Sequence, residues 1–211
     1  GAVTEIYGEG LRLPPVRLYI KGELNQDVTR IIFANVRTPN ERQGDMSAQV
    51  AATRRAVQRL GALADKYGAQ KLTSIMGEVM DYSEIMMRIM LSRLPDGTGE
   101  FEEWCDGDGI LNDAGEEEPF KVHLSLTKSG DHLSVDFAGT DDQVPGPMNA
   151  PLAVTASGIF TAVKMVADPT NLIPPNSGCW RAITVTAPKG SVVNCVLPAP
   201  VVYANHEMSH R

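Results

Sequence analysis

The segment His206-Glu207-Met208-Ser209-His210 has HExxH spacing. On a helix, imidazoles four residues apart share a face and can hold zinc, with the intervening Glu placed as general base. The helix would have to start near Asn205, and only Arg211 follows, so the given sequence offers no third ligand after the pair. A helix start that carries two histidines is the plainer reading, and His206 and His210 stand as an alternative zinc pair. A second cluster, Cys105-Asp-Gly-Asp-Gly-Ile-Leu-Asn-Asp-Ala-Gly-Glu-Glu-Glu118, gathers the hard oxygen ligands of a calcium loop. Its register fails: counted from Asp106, the fifth position is Ile110 and the sixth, where the sharp turn needs glycine, is Leu111. A solvated acidic hairpin loop fits better. His123 and His132 have no second ligand at usable spacing and read as surface or half-buried histidines. Ser157-Gly158 and Ser177-Gly178 lack a GxSxG setting, and no glycine-rich phosphate loop occurs, so this chain by itself is not expected to bind ATP.

Composition narrows the class. The chain has 211 residues, 43% of them hydrophobic, enough for a sizeable core. Its 26 acidic against 19 basic residues give a net charge of −7, which argues against a nucleic-acid partner. Apolar runs fall well short of the ~18 residues that span a bilayer, so no membrane partner is expected. Cys105, Cys179 and Cys195 are sparse and odd in number, which suits a reducing cytoplasm better than a disulfide framework.

The elements that would position these residues follow from period and punctuation. Gly10 to Gly22 alternates around a double proline and predicts an edge strand or extended segment ending in a turn. Asn25 or Asp27 can cap a short helix through Phe33 and Ala34, and Thr38-Pro39 closes it. Met46, Val50, Val57, Leu60, Leu63, Ala64 and Tyr67 place one apolar stripe on a helix from Asp45, ended by Gly68. A methionine-rich helix follows from about Gln70 to Leu94, and the two are expected to pack as an antiparallel hairpin. From residue 100 the period becomes two: Phe101–Trp104, Phe120–Thr127 and His132–Phe137 predict an antiparallel meander. Ala153–Val166 predicts a further buried helix, and Ile183–Thr186 and Ser191–Val196 short strands. The fold class is α+β, with 1–99 an extended segment and helical region and 100–211 a β region with one buried helix.

Several strings resemble the hydantoinase B/oxoprolinase family and occur in its order. They are Glu9-Gly-Leu-Arg-Leu-Pro-Pro-Val-Arg-Leu-Tyr19, Asn35-Val-Arg-Thr-Pro39, Gly44-Asp-Met-Ser-Ala-Gln49 and Asp81-Tyr-Ser-Glu84. Leu94-Pro-Asp-Gly97, Asp136-Phe-Ala-Gly-Thr140 with Gln143, Gly146-Pro-Met-Asn149, Pro174-Pro-Asn-Ser-Gly178 and Pro198-Ala-Pro-Val201 continue the series. Gly44-Asp45 suits a turn and helix cap. Asn149 either bonds within its rigid turn or points its amide at a substrate. Asn149, Asp136 and Arg37 are the candidate catalytic side chains.

The resemblance implies a piece of the large metal-dependent subunit of an ATP-dependent cyclic-amide hydrolase of hydantoin or 5-oxoproline type. It implies a hydantoinase A-like ATP-binding partner subunit or domain, an oligomeric complex, and a divalent metal held by Asp and His in family motifs expected before Gly1. No cofactor or metal ligand carries over to this chain, which alone is expected to be inactive. The alternatives are a piece of an acetone-carboxylase-type subunit, a non-catalytic assembly module, and an HExxH zinc protein.

Overall fold

The computed structural model describes residues 3–204. The chain divides into two compact units, one of residues 10–76 and one of residues 3–9 with 77–204.

In the 10–76 unit, β1 (Tyr19–Ile20) pairs antiparallel with β2 (Glu23–Leu24). The turn between them places Lys21 at φ 52° and Gly22 at φ 89°, the two successive left-handed residues that a tight hairpin of matching twist requires. Asn25 caps α1 (Gln26–Ala34), its side chain accepting from the backbone N–H of Asp27 and Val28. The next helix, α2 (Pro39–Tyr67), begins six residues before the predicted start. Thr38-Pro39 does not close a helical region but opens one, because proline in the first turn gives up an N–H that has no partner there anyway. Gly44 and Asp45 therefore lie inside the helix, and Asp45 pairs with Arg42 at 2.8 Å instead of capping. Gly68, at φ 86°, ends α2 with its N–H on the Ala64 carbonyl at 2.8 Å.

The predicted apolar stripe is present, but α2 contains no buried residue and the expected hairpin packing does not bury it. Val57 is 70% exposed, and Leu60, Leu63 and Tyr67 are exposed as well. The first residues of α3 (Ala69–Ser92) close this unit.

In the other unit, the second half of α3 buries Ser83, Met87 and Leu91, four residues apart and so on one face. Strands β3 (Gly97–Cys105), β4 (Phe120–Ser129), β5 (His132–Asp136) and β6 (Ile183–Thr186) form one sheet in that order. The first three make the predicted meander, with Phe101 opposite Leu124 and Ser125 opposite Asp136. β6 runs parallel to β5, so the sheet is mixed. The connection between them contains α4 (Leu152–Ala167), and a crossover of that length can return a strand in the same direction. Phe120, Val122, Leu133, Val135 and Ile183 face the core, where Met87, Leu91, Ile173 and Cys179 meet them.

Two expectations change here. α4 buries only Thr155 and Ala167, while Met165 and Val166 are 69% and 68% exposed. A mostly apolar helix predicts burial, yet this one covers the core with one face only, where Phe160 stacks on Trp180 at 4.8 Å. Residues 191–196 form turns, not a strand. Val192 and Val193 are buried in them because backbone bonds from Val192 to Asp141 and Ala150 hold that segment inward. Among the described residues no helix is long and apolar enough to cross a membrane.

Candidate functional site

Three groups of polar side chains organise the larger unit, and each draws on strings that carry the family resemblance. The first joins α3 to residues 174–181. Asn176 Nδ2 donates to Ser83 Oγ at 2.8 Å, and the fully buried Ser83 hydroxyl donates to the Val79 carbonyl at 3.1 Å. Gly178 follows, where a Cβ would stand 1.9 Å from the Met80 carbonyl oxygen, so only glycine lets the two backbones meet. Arg181 then reaches Asp81 at 2.8 Å and Glu84 at 3.1 Å, and Arg88 joins Glu84 at 2.8 Å to Asp131 at 3.2 Å. Hydrogen bonds from Arg88 and then Arg181 hold the Glu84 carboxyl below the usual range.

The second group is built on Asp108 and Asn149. Asp108, 7% exposed, accepts from Gly146 N–H at 2.6 Å and Ile110 N–H at 2.9 Å. A Cβ on Gly146 would lie 2.1 Å from the Asp108 carbonyl oxygen. Asn149 is wholly buried. Its Oδ1 accepts from Val144 N–H at 2.7 Å, and its Nδ2 donates to the carbonyls of Val144, Gly146 and Pro200 at 2.8, 2.9 and 3.1 Å. The rigid turn thus spends the Asn149 amide on backbone, and of the two roles open to it the geometry carries the one within the turn. Pro200 belongs to the Pro198–Val201 string, so two of the strings meet at this amide.

The third group is open. Asp136, exposed at the end of β5, accepts through Oδ1 from Ala138 N–H at 3.1 Å and Thr186 Oγ1 at 2.9 Å. The Ala138 carbonyl is 2.6 Å from His123 Nδ1. A carbonyl can only accept, so Nδ1 carries the proton and the neutral ring keeps its lone pair on Nε2. Thr140 locks the same strand position, accepting from His123 N–H at 3.0 Å and donating to the His123 carbonyl at 2.8 Å. The backbone N–H and carbonyl of one residue, Ala138, thus hold a carboxylate and an imidazole respectively, groups suited to accepting protons or hydrogen bonds.

Of the candidates, Asp136 shares the backbone of Ala138 as a partner with His123, and Asn149 sits in a separate buried clamp. Arg37 is exposed in the other unit. His206 and His210 lie outside the described residues. Sequence reading passed over Asp168, whose side chain is fully buried against Lys164 and accepts from the N–H groups of Leu172 and Ile173 at 2.9 and 2.8 Å. Burial pushes its carboxyl up, but the Lys164 ammonium and the two N–H groups outweigh that and bring it to about 2. The spacing Lys164 to Asp168, one helical turn across a helix end, was the available signal.

These groups do not fit a resident metal ion. Among the described residues no three His, Cys, Asp or Glu side chains converge, and the buried carboxylates Asp108 and Asp168 already spend their oxygens on backbone N–H groups and on Lys164.

Comparison with known proteins places this arrangement. The chain is 34% identical over 209 residues to an uncharacterized protein of Methanocaldococcus jannaschii, covering 99% of this chain and 35% of that one. It is 30% identical over 204 residues to the caprolactamase subunit beta of Pseudomonas jessenii, covering 94% and 33%. The crystal structure of ATP-dependent caprolactamase from the same organism superposes with a TM-score of 0.78 over 95% of this chain and 34% of that one. Nucleotide-free acetone carboxylase superposes at 0.85 over 97% and 28%, with 15% identity, a likeness of fold alone. The chain spans about a third of the length of these two curated relatives. The family model for hydantoinase B/oxoprolinase matches residues 1–211, and this chain belongs to that family.

Proposed function

We propose that residues 1–211 are a scaffold segment of a subunit in an ATP-dependent hydrolase of cyclic amides. The observation that carries this reading is the agreement of sequence and fold with one such protein, the caprolactamase beta subunit, at 30% identity and a TM-score of 0.78. The clamps support it. The family strings at 81–84, 146–149, 174–178 and 198–201 fix loops to α3 and to one another, and their amides and carboxylates are largely spent doing so.

In this reading, ATP is used by a hydantoinase A-like companion subunit, and a divalent metal is held by parts of the subunit outside residues 1–211. This segment supplies the frame and the open Asp136–His123 corner, it works in the cytoplasm, and it is inactive alone. The test uses the complete subunit with its companion, ATP, and either a cyclic amide such as 5-oxoproline or hydantoin, or acetone with bicarbonate. ADP release stimulated by the amide is expected. Release stimulated only by the ketone rejects the hydrolase in favour of the carboxylase reading.

A further inference from the structure

The chain holds three Asp–Gly peptides, Asp96-Gly97, Asp106-Gly107 and Asp108-Gly109. This dipeptide is chemically labile. The glycine nitrogen can attack the aspartic acid Cγ, because no Cβ on the glycine hinders the approach. A C–N bond forms, the Cγ–O bond to the hydroxyl breaks, and water leaves with the amide proton, closing a five-membered imide. Water then adds at either ring carbonyl. Addition at the side-chain carbonyl regenerates aspartate. Addition at the main-chain carbonyl breaks the original C–N bond, so that the chain runs on through Cβ and Cγ as isoaspartate.

Two of the three peptides are held against this reaction. Asp96 accepts through Oδ1 from Lys128 Nζ at 2.6 Å and from Gly130 N–H at 3.0 Å, and Gly97 is fixed opposite Lys128 in the pairing of β3 with β4. Asp108 spends Oδ1 on Ile110 N–H at 2.9 Å and Oδ2 on Gly146 N–H at 2.6 Å. The Gly109 N–H that would have to attack it donates to Glu117 Oε2 at 3.1 Å. These bonds must break before either ring can close.

Asp106-Gly107 differs. It lies where the chain leaves β3, and neither the Asp106 carboxyl nor the Gly107 N–H has a hydrogen-bond partner among the described residues. Packing also imposes the glycine: a Cβ at 107 would stand 2.5 Å from Glu117 Cβ, so a bulkier residue that would hinder the attack does not fit.

We infer that Asp106-Gly107 is a site of spontaneous isoaspartate formation, and that conversion there loosens the hold of Asp108 on Gly146. Isoaspartate adds one atom to the main chain, about 1.5 Å of length, two residues before Asp108. Asp108 has no room to slide, because its carbonyl oxygen lies 2.1 Å from where a Cβ on Gly146 would stand. The added length is therefore taken up by parting the Asp108 carboxylate from the Gly146 N–H.

The test is tryptic mapping of the complete subunit after weeks in warm neutral buffer. All three sites fall on one tryptic peptide, residues 94–121, and electron-transfer fragmentation locates isoaspartate within it. Isoaspartate at 106 should accumulate at least about fivefold faster than at 96 or 108, the protection that a single hydrogen bond gives. In urea the three rates should converge, since structure and not sequence separates them. Asp106→Glu, whose ring would have six members, should stop the reaction at 106 and leave the melting temperature unchanged. Amide exchange at Gly146 should quicken in the isomerised fraction. Equal rates at the three sites of the folded protein, a lead for 96 or 108, no isoaspartate at 106 where the urea sample forms it, or unchanged exchange at Gly146 overturns the inference.

Discussion

Gly178 approaches α3 so closely that a Cβ would stand 1.9 Å from the Met80 carbonyl oxygen. That oxygen belongs to helix backbone and cannot rotate away as a side chain would. Gly178→Ala must therefore lift residues 174–181 off the helix, weakening the Asn176–Ser83 bond and the Arg181 contacts together. A loss of about 3 kcal/mol in urea unfolding is expected. Gly44→Ala is the control, since it lies within α2 with open space around it and should stabilise slightly. Equal effects of the two substitutions would refute the close approach.

Asn149 supplies the second prediction. Asn149→Asp keeps the shape but removes both N–H donors, turning a carboxylate toward the carbonyls of Val144, Gly146 and Pro200. The expected cost is about 4 kcal/mol at neutral pH, because one oxygen of the buried carboxylate keeps the Val144 N–H while the other faces three acceptors. Acid should relieve part of it, since protonation restores one donor. Thermal melts at pH 7 and pH 4 check this: the deficit of N149D should shrink at the lower pH, and an unchanged deficit argues against the donor role.

Much of this architecture was legible in residue order. Period two marked β3, β4 and β5, Asn25 marked the start of α1, and Gly68 marked the end of α2. Burial was less legible, because it depends on what lies opposite a stripe and not on the stripe. The row Val57, Leu60, Leu63 has an amphipathic helix's period and is exposed, and Val192-Val193 is buried without being a strand. The proline at 39 misled for a related reason, since the same ring that ends a helix is tolerated at its first position. At the site, Asp136 was visible in its string, but its link to His123 runs through the Ala138 peptide and could be seen only after folding.

Asp168 gives the pH dependence. Its carboxyl is lowered from 3.8 to about 2 in the folded chain, so it binds a proton less readily folded than unfolded. Its contribution to stability is complete above the unfolded value and is lost as pH falls toward 2. Asp168→Asn should cost about 3 kcal/mol at neutral pH by removing the negative charge from the Lys164 ammonium, which keeps only the neutral oxygen of Asn171. It should also flatten the stability profile between pH 4 and pH 2, as measured by urea midpoints along a pH series. A parallel shift of the whole profile would place the acid sensitivity elsewhere.

Asp136 separates scaffold from chemistry. In Asp136→Asn the amide oxygen can still accept from Ala138 N–H and from Thr186 Oγ1, so the end of β5 should hold its shape and the melting temperature should move by only about 2 °C. The negative charge of the carboxylate is lost, however, and with it the second carboxylate oxygen. If this corner receives a proton or a hydrogen bond from substrate in the assembled enzyme, kcat/KM should fall at least about tenfold. His123→Gln should lower it comparably, since glutamine can still reach the Ala138 carbonyl but brings no second ring nitrogen to accept a hydrogen bond. The split between kcat and KM supplies the readout that a merely structural role would not move: kcat should fall in both variants while KM changes by less than about twofold. Full activity in both variants would leave Asp136 as the residue that turns the chain out of β5.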